Sequence, residues 1–131
     1  VMLLRIEPSS AVPVYRQIID QVRYQIAGGA LRHGDRLPSV RELARELAIN
    51  PNTVARAYRE LQDDGVLETV RGTGLAVASS ARRQCQGERT RLIRARLKLV
   101  LEEAATSGLD PAEIEQLVRS EVAALRRVKQ K

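Results

Sequence analysis

Polar side chains that form directional hydrogen bonds are concentrated between residues 50 and 56. They are Asn50, Asn52, Thr53 and Arg56. Carboxamides pair with adenine edges, a guanidinium fork pairs with guanine edges, and short hydroxyls suit phosphates. Thr53 and Arg56 are three residues apart, which places them on one face of a helix. This chemistry is that of a helix whose first turn enters the major groove of DNA.

Two of these residues also have a purely structural interpretation. Asn50 stands directly before Pro51 and can cap a helix that begins there. Arg56 precedes Glu60 by four residues, so the two side chains can form a surface ion pair. We favour the DNA contact at both positions, and the structural interpretations remain the alternatives.

A tight turn adds a second group of candidates. Arg71, Gly72, Thr73 and Gly74 separate two short apolar runs and form the tip of a hairpin. Glycine allows the backbone to approach a minor groove closely, and arginine is attracted to the negative potential there. The turn is therefore predicted to contact DNA beside the groove that the helix enters.

The elements that must position these groups begin with two helices. Apolar residues recur from Val14 at three- and four-residue spacing until Gly28-Gly29, which predicts a first packing helix. Ser39, with Glu42 three residues later, forms a capping box that opens a second helix. This second helix carries apolar side chains inward as far as Leu47.

The third helix and a hairpin complete the arrangement. A helix begins at Pro51 or Asn52, since proline is tolerated in a first turn, and Gly65 ends it. Residues 66–70 alternate like a strand, and residues 75–78 return after the turn. Three helices followed by a small hairpin predict a winged helix-turn-helix.

The remaining residues predict a linker and two more helices. Residues 79–84 are polar; the next helical pattern ends at Ser107-Gly108, and the last opens with Asp110 as its N-cap and Pro111 in its first turn. The first apolar stripe comprises Leu92, Ile93, Leu97, Val100, Leu101 and Ala104, and the second comprises Ile114, Leu117, Val118, Val122, Leu125 and Val128. A two-helix hairpin buries little alone, so we expect it to pair with that of a second copy. The alternative is that both helices fold back on the chain's own core.

The predicted fold class is mainly α with a small β-hairpin. Residues 1–78 form the winged helix-turn-helix domain, and residues 79–131 form a linker and a helical dimerisation segment. Hydrophobic residues make up 44% and charged residues 29% of the 131 residues, with no Phe and no Trp, so the core must be aliphatic.

The composition argues against catalysis, cofactors and metal sites. The chain has one His and one Cys, and neither paired carboxylates nor a phosphate-binding loop are apparent. His33 and Cys85 are far apart and lack companion ligands, and Cys85 in its polar stretch is expected to be an exposed thiol without a function. No run of transmembrane length or signal peptide is apparent, so a cytoplasmic protein without a membrane partner is expected.

The positive charge is unevenly distributed. Residues 1–78 hold ten Lys and Arg against nine Asp and Glu, whereas residues 79–131 hold twelve against seven. Residues 82–98 contain seven basic side chains and one acidic one, Glu88. This run either lies along DNA phosphates or is a solvated helix face. Arg32, His33 and Arg36 are weaker candidates for phosphate contact.

Several motifs together resemble one family. The loop 34–39, the helix 40–44, the segment 52–61 and the ending Asp64-Gly65-Val66-Leu67 are similar to the GntR family of bacterial regulators. The resemblance runs from about Val12 to Val77, and the short tail resembles the YtrA type, in which two helices mainly dimerise the regulator.

The resemblance also bears on individual residues. It implies that Arg41 contacts DNA; the alternative is a surface ion-pair network with neighbours such as Arg45 and Glu46. Many relatives carry arginines where this chain has Pro51 and Ala55, so their operator code cannot be transferred.

The function expected from these observations is regulation of transcription. We expect a homodimer that binds palindromic double-stranded operator DNA sequence-specifically and acts as a repressor. The resemblance implies control of a transporter operon. The alternative is an architectural or adaptor winged-helix protein with non-specific DNA binding. If a small-molecule effector exists, it must bind at the dimer interface or near residues 79–91.

Overall fold

The computed structural model describes residues 3–72 and 74–129. The elements in chain order are α1 (Val14–Ala27), α2 (Val40–Leu47), α3 (Pro51–Asp63), β1 (Leu67–Val70), β2 (Gly74–Val77), α4 (Ala81–Thr106) and α5 (Pro111–Lys129). The chain divides into two compact units, Val1–Thr90 and Arg91–Lys131. The expected class, mainly α with a winged helix-turn-helix, is confirmed.

The first unit is built around an aliphatic core, as the absence of Phe and Trp predicts. Its largest fully buried side chains are Ile18, Ile19, Ile26, Leu43, Leu61, Val22, Val54, Val66, Val77 and Cys85. Burial of each such aliphatic side chain contributes about 1.5–3 kcal/mol to the stability of the fold, relative to leaving it exposed. Helix α3 packs against α1, α2 and β1, so it lies at the centre of the unit.

The helix boundaries follow the local signals. Helix α1 begins at Val14 after Pro13 and ends at Ala27, with Gly28 as its C-cap. Helix α2 opens with the predicted capping box, in which the Ser39 hydroxyl accepts from the Glu42 N–H and the Glu42 carboxylate accepts from the Ser39 N–H. Its C-cap, Ala48, has a left-handed backbone with φ 55°.

The hairpin has the predicted position, and a short part of the loop between α1 and α2 pairs with it. Strands β1 and β2 are antiparallel, with Leu67 opposite Val77 and Val70 opposite Gly74. Arg36 forms a bridge with Ala76, and the Leu37 N–H donates to the Leu75 carbonyl. The loop after α1 therefore lies along the outer edge of β2 and ties the wing to the helices.

Glutamines on α1 hold the N-terminal segment, and no local pattern in the sequence indicates these contacts. The Gln17 carboxamide accepts from the Glu7 N–H and donates to the Glu7 carbonyl, and Gln21 makes the same pair of bonds with Arg5. Gln25 donates to the Leu3 carbonyl. These three side chains lie four residues apart on one face of α1. They bond to the backbone of the N-terminal segment in the way that a neighbouring strand would.

Two expectations for residues 79–85 are wrong. The polar stretch is not a linker throughout, because α4 begins at Ala81 and continues to Thr106. Cys85 is not an exposed thiol: its exposed fraction is 0%, and it lies in the core together with Ala81. These two small residues are four apart and form one buried helix face, while the neighbouring Arg82 and Arg83 are exposed. The division at residues 78 and 79 stays a prediction.

The second unit is the predicted helical hairpin. Gly108, with φ 100°, follows the end of α4, and the Asp110 side chain accepts from the Glu113 N–H at 2.9 Å to cap α5. Apolar side chains of both helices are exposed, including Ile93, Leu97, Leu117, Val118 and Val122 at 40–54%. The alternative, in which both helices fold back on the chain's own core, stays open.

Candidate nucleic-acid interface

The first turn of α3 presents the polar group found in the sequence. The Asn50 side-chain oxygen accepts from the Asn52 N–H at 2.8 Å, so Asn50 is the helix N-cap. Its amide nitrogen, which can donate to a base or phosphate, is not used by this cap. Asn50 and Asn52 are exposed, and Thr53 is half-buried. These three side chains surround one helix terminus, where the dipole favours phosphate.

Arg56 does not form the ion pair considered as its alternative. Its guanidinium carbon lies 3.7 Å from the centroid of the Tyr15 ring, a cation–π contact between α3 and α1. Glu60 instead pairs with Arg16 at 3.6 Å, and Arg16 lies 5.6 Å from the same ring. Arg56 is exposed one turn after Asn52, and Tyr15 limits the directions it can take.

Arg41 lies exposed in the first turn of α2. Within residues 3–72 and 74–129 it forms no ion pair, so the surface network proposed as its alternative is not present around it. Its neighbour Glu42 is used by the capping box. Arg41 is therefore a cation available to a phosphate.

The wing turn is built on glycine conformation rather than on tight packing. Gly72 and Gly74 have φ of 75° and 94°, and a Cβ added at either would meet, chain neighbours apart, no atom of the described residues within 4 Å. A side chain there would be strained and would project into open space, which is where a groove would have to approach. Arg71 is exposed beside them, and Thr73 lies outside the described residues.

Buried contacts hold α3 in place behind these groups. The Tyr58 hydroxyl donates to the Pro38 carbonyl at 2.8 Å, which joins α3 to the loop before α2. Burial raises the pKa of Tyr58 far above its usual range, and Glu46 and Glu42 raise it further. Tyr58 is a core residue, 3% exposed.

The end of α3 is held by an ion pair. Arg23 on α1, only 9% exposed, donates to the carboxylate of Asp64 at 2.5 Å. The Gln84 side chain on α4 donates to the Asp64 carbonyl at 3.0 Å. One residue at the C-terminus of α3 thus contacts both α1 and α4.

Tyr15 is the functional candidate that sequence reasoning missed. Its place on the apolar stripe of α1 predicts a core residue, yet the ring is half-buried and packs partly against the core and partly under Arg56. The tyrosine lies forty-one positions from its arginine, so no local spacing could reveal the pair.

Over the described ranges, no three His, Cys, Asp or Glu side chains come together in a way that could hold a metal ion. None of the helices there is long and apolar enough to cross a membrane.

Comparison with known proteins adds sequence similarity to this geometry. Residues 14–77 match the profile of bacterial regulatory proteins, gntR family. The chain is 35% identical over 117 residues to the HTH-type transcriptional repressor YtrA of Bacillus subtilis (strain 168), which covers 89% of this chain and 90% of that protein.

Two solved structures are also similar to this chain. YtrA from Sulfolobus acidocaldarius, described as a GntR-family transcription factor, matches 94% of this chain and 99% of its own with a TM-score of 0.56 and 32% identity. The DNA-binding domain of AraR, solved in complex with operator ORX1, matches 57% of this chain and 93% of its own with a TM-score of 0.50 and 27% identity. The first similarity includes the helices after the wing, whereas the second covers little more than half of the chain.

Proposed function

Since this chain belongs to the gntR family of bacterial regulatory proteins and is a DNA-binding transcription regulator, we propose that it binds a palindromic operator as a homodimer and represses the genes it controls. The observation that carries the proposal is the exposed polar terminus of α3, where Asn50, Asn52 and Arg56 stand on a helix anchored from behind. Such a terminus is the part of a helix-turn-helix that meets base edges first.

The roles divide by chemistry. Asn50, Asn52 and Arg56 carry amide and guanidinium groups that read bases, while Thr53 and Arg41 suit phosphates. The wing, Arg71 to Gly74, enters the adjacent minor groove. We propose repression because the Bacillus subtilis relative, which is similar along most of both chains, is a transcriptional repressor.

The exposed apolar faces of α4 and α5 support a homodimer. Leu97 and Val122 are 48% and 40% exposed, and a groove of about 430 Å³ lies along α4 beside Leu97, Leu101 and Ala105. Apolar side chains in such numbers on two adjoining helices are normally covered. A second copy of the hairpin offers the matching surface, and its two-fold symmetry explains a palindromic operator.

Selection of binding sites from a random DNA pool tests sequence reading. The selected sequences should converge on an inverted repeat that the chain prefers by about three or more orders of magnitude over random DNA. Convergence on a single half-site would reject the palindrome. Failure to converge, with a steep salt dependence, would indicate an architectural binder. A reporter gene placed behind the selected site should be expressed less when the protein is present.

The dimer is tested separately by measuring mass in solution. Leu97→Glu places a charge on the exposed stripe and should convert the dimer to a monomer. Leu99→Glu is the matched control, because Leu99 is 66% exposed on the same helix but off the predicted stripe. A wild-type monomer, or equal effects of both variants, would contradict the proposed interface.

A further inference from the structure

A cavity of about 550 Å³ lies within the unit Val1–Thr90, between the end of α1 and the start of α4. Its wall includes Gly28, Gly29, Arg32, His33, Ser79 and Arg82. The volume falls within the range of small-molecule sites, about 300–1,000 Å³. None of these residues belongs to the candidate base-reading group, although Arg32 and His33 are the weaker candidates for phosphate contact.

The charged residues of the wall are all basic. Arg32 and His33 come from the loop after α1, and Arg82 comes from the first turn of α4. A Cβ placed on Gly29 would lie 3.7 Å from the Arg82 Nη2 atom, so the guanidinium lies over the glycine. The nearby acid, Asp35, uses its carboxylate to accept from the backbone N–H of Arg32 at 2.9 Å. The described residues of the wall therefore supply two guanidinium groups and an imidazole without a carboxylate among them.

The cavity lies at the opposite end of the hairpin from the wing. Strand β2 runs from Gly74 at the turn to Val77, whose carbonyl accepts from the Gly34 N–H, and Ser79 follows. With about 3.3 Å per strand residue, the cavity is more than about 10 Å from the wing tip. The wing takes part in the proposed contacts with the DNA grooves, whereas the basic residues at this end of the hairpin do not.

We propose that this cavity binds a small molecule carrying two or more negative charges, such as a polycarboxylate or a phosphorylated metabolite. Guanidinium forks bind carboxylates and phosphates through paired hydrogen bonds. Arg32 and Arg82 approach from two different chain segments, so one anion can bridge them. The adjoining first turn of α4 also favours negative charge. This inference goes beyond the proposed function and does not depend on it.

The only histidine of the chain gives a site-specific probe, because the imidazole signals in a nuclear magnetic resonance spectrum come from His33 alone. Inorganic phosphate, pyrophosphate and citrate are titrated into the full chain at constant ionic strength. At least one should shift the His33 signals saturably, and the strongest of them indicates phosphate or carboxylate chemistry. Shifts that do not saturate, or that chloride reproduces, would overturn the proposal.

Charge-neutral variants locate the site. Arg32→Gln and Arg82→Gln should each weaken the binding of the strongest probe by tenfold or more. Arg89→Gln is the control, since Arg89 is an exposed arginine of the same helix outside the cavity wall. All three positions are exposed, so the variants should keep the wild-type melting temperature. Equal binding by Arg82→Gln and wild type would overturn the proposal.

A last measurement separates a small anion from the DNA backbone. The slope of log affinity against log salt changes by about 0.9 for each phosphate that the protein neutralises. Arg32→Gln and Arg82→Gln should leave this slope unchanged for random duplex DNA. A reduction by about one in both variants would assign these arginines to DNA and overturn the proposal.

Discussion

The guanidinium of Arg56 rests on the ring of Tyr15, with its central carbon 3.7 Å from the ring centroid. The contact joins α3 to α1 beside the proposed base-reading turn, and Arg16 borders the same ring. A planar cation on an aromatic face keeps its edge available for hydrogen bonds. If Arg56 reads bases as proposed, Tyr15 is a positioning residue that orients Arg56 before DNA is present and lowers the entropy lost on binding.

Tyr15→Leu should weaken operator binding while Tyr15→Phe should not. An exposed cation–π contact contributes about 0.5–1 kcal/mol, which corresponds to roughly two- to fivefold in affinity. Phenylalanine retains the aromatic face and leucine does not. Fluorescence titration with operator and with random DNA measures both affinities. Only operator binding should change; tighter binding by Tyr15→Leu would mean that the ring holds Arg56 away from DNA.

Arg56→Ala and Arg94→Ala should affect binding in different ways. Loss of a base-reading guanidinium should cost about 1–3 kcal/mol and relax preference at one base position. Arg94 lies exposed on α4, outside the reading turn, so its loss should weaken all sequences alike if the basic run contacts phosphates. Parallel selection from a randomised operator library gives the preference at each position. Uniform weakening by both variants would contradict this division of roles.

Asp64→Asn should destabilise the first unit. Arg23 is 9% exposed and donates to the Asp64 carboxylate, so a neutral partner leaves a buried cation without its counter-charge. The expected loss is about 1.5–3 kcal/mol in the free energy of unfolding, measured by urea denaturation at fixed protein concentration. Glu60→Gln is the control: it breaks the exposed pair with Arg16 and should cost less than about 1 kcal/mol. Similar losses of unfolding free energy in both variants would show that the burial of Arg23 does not strengthen its ion pair with Asp64.

The helices and hairpin could be predicted because each boundary has a local cause. Ser39 with Glu42, Asn50 before Pro51, and Gly108 before Asp110 act within one or two turns of the chain. The same local rules gave the base-reading candidates, since they depend on residue type and helical spacing.

Contacts that depend on distant residues could not be predicted. The Tyr15 ring under Arg56 and the Arg23–Asp64 pair both join α1 to α3, and neither has a local pattern. The polar sequence neighbours of Cys85 predict a surface position, which its burial contradicts. The small apolar pair Ala81 and Cys85, four residues apart, was the available signal, but two small residues are a weak stripe beside so many charges.

The burial of Cys85 predicts slow reaction with thiol reagents. Burial in the core raises the pKa of its thiol; Arg23 opposes this shift and Glu88 adds to it. The reactive thiolate is thus disfavoured and shielded while the chain is folded. Ellman's reagent at pH 8 should modify Cys85 much more slowly in the native chain than in urea. Equal rates would show that the first turns of α4 detach from the core.

The same raised pKa predicts a loss of stability at alkaline pH. The unfolded thiol titrates near pH 8.5, below the folded one, so the stabilisation is complete below that pH and declines as pH rises through the folded pKa. Urea denaturation at pH 7.5 and 9.5 measures the decline. Cys85→Ala should show a smaller decline between these values, and an equal decline would assign it to other groups.

Ala48→Gly should stabilise the turn between α2 and α3. Ala48 has φ 55° and ψ 47°, a left-handed conformation that costs an L-residue with a Cβ roughly 1–2 kcal/mol. Glycine removes most of this strain, although its greater freedom in the unfolded chain offsets part of the gain, so an increase of about 0.5–1 kcal/mol is expected. The matched control is Ala55→Gly in the interior of α3, where φ is helical and glycine should cost about 1 kcal/mol. Thermal unfolding should therefore shift in opposite directions for the two variants. Destabilisation by both would mean that Ala48 leaves the left-handed region in solution, and the turn that sets α3 against α2 would then have another geometry.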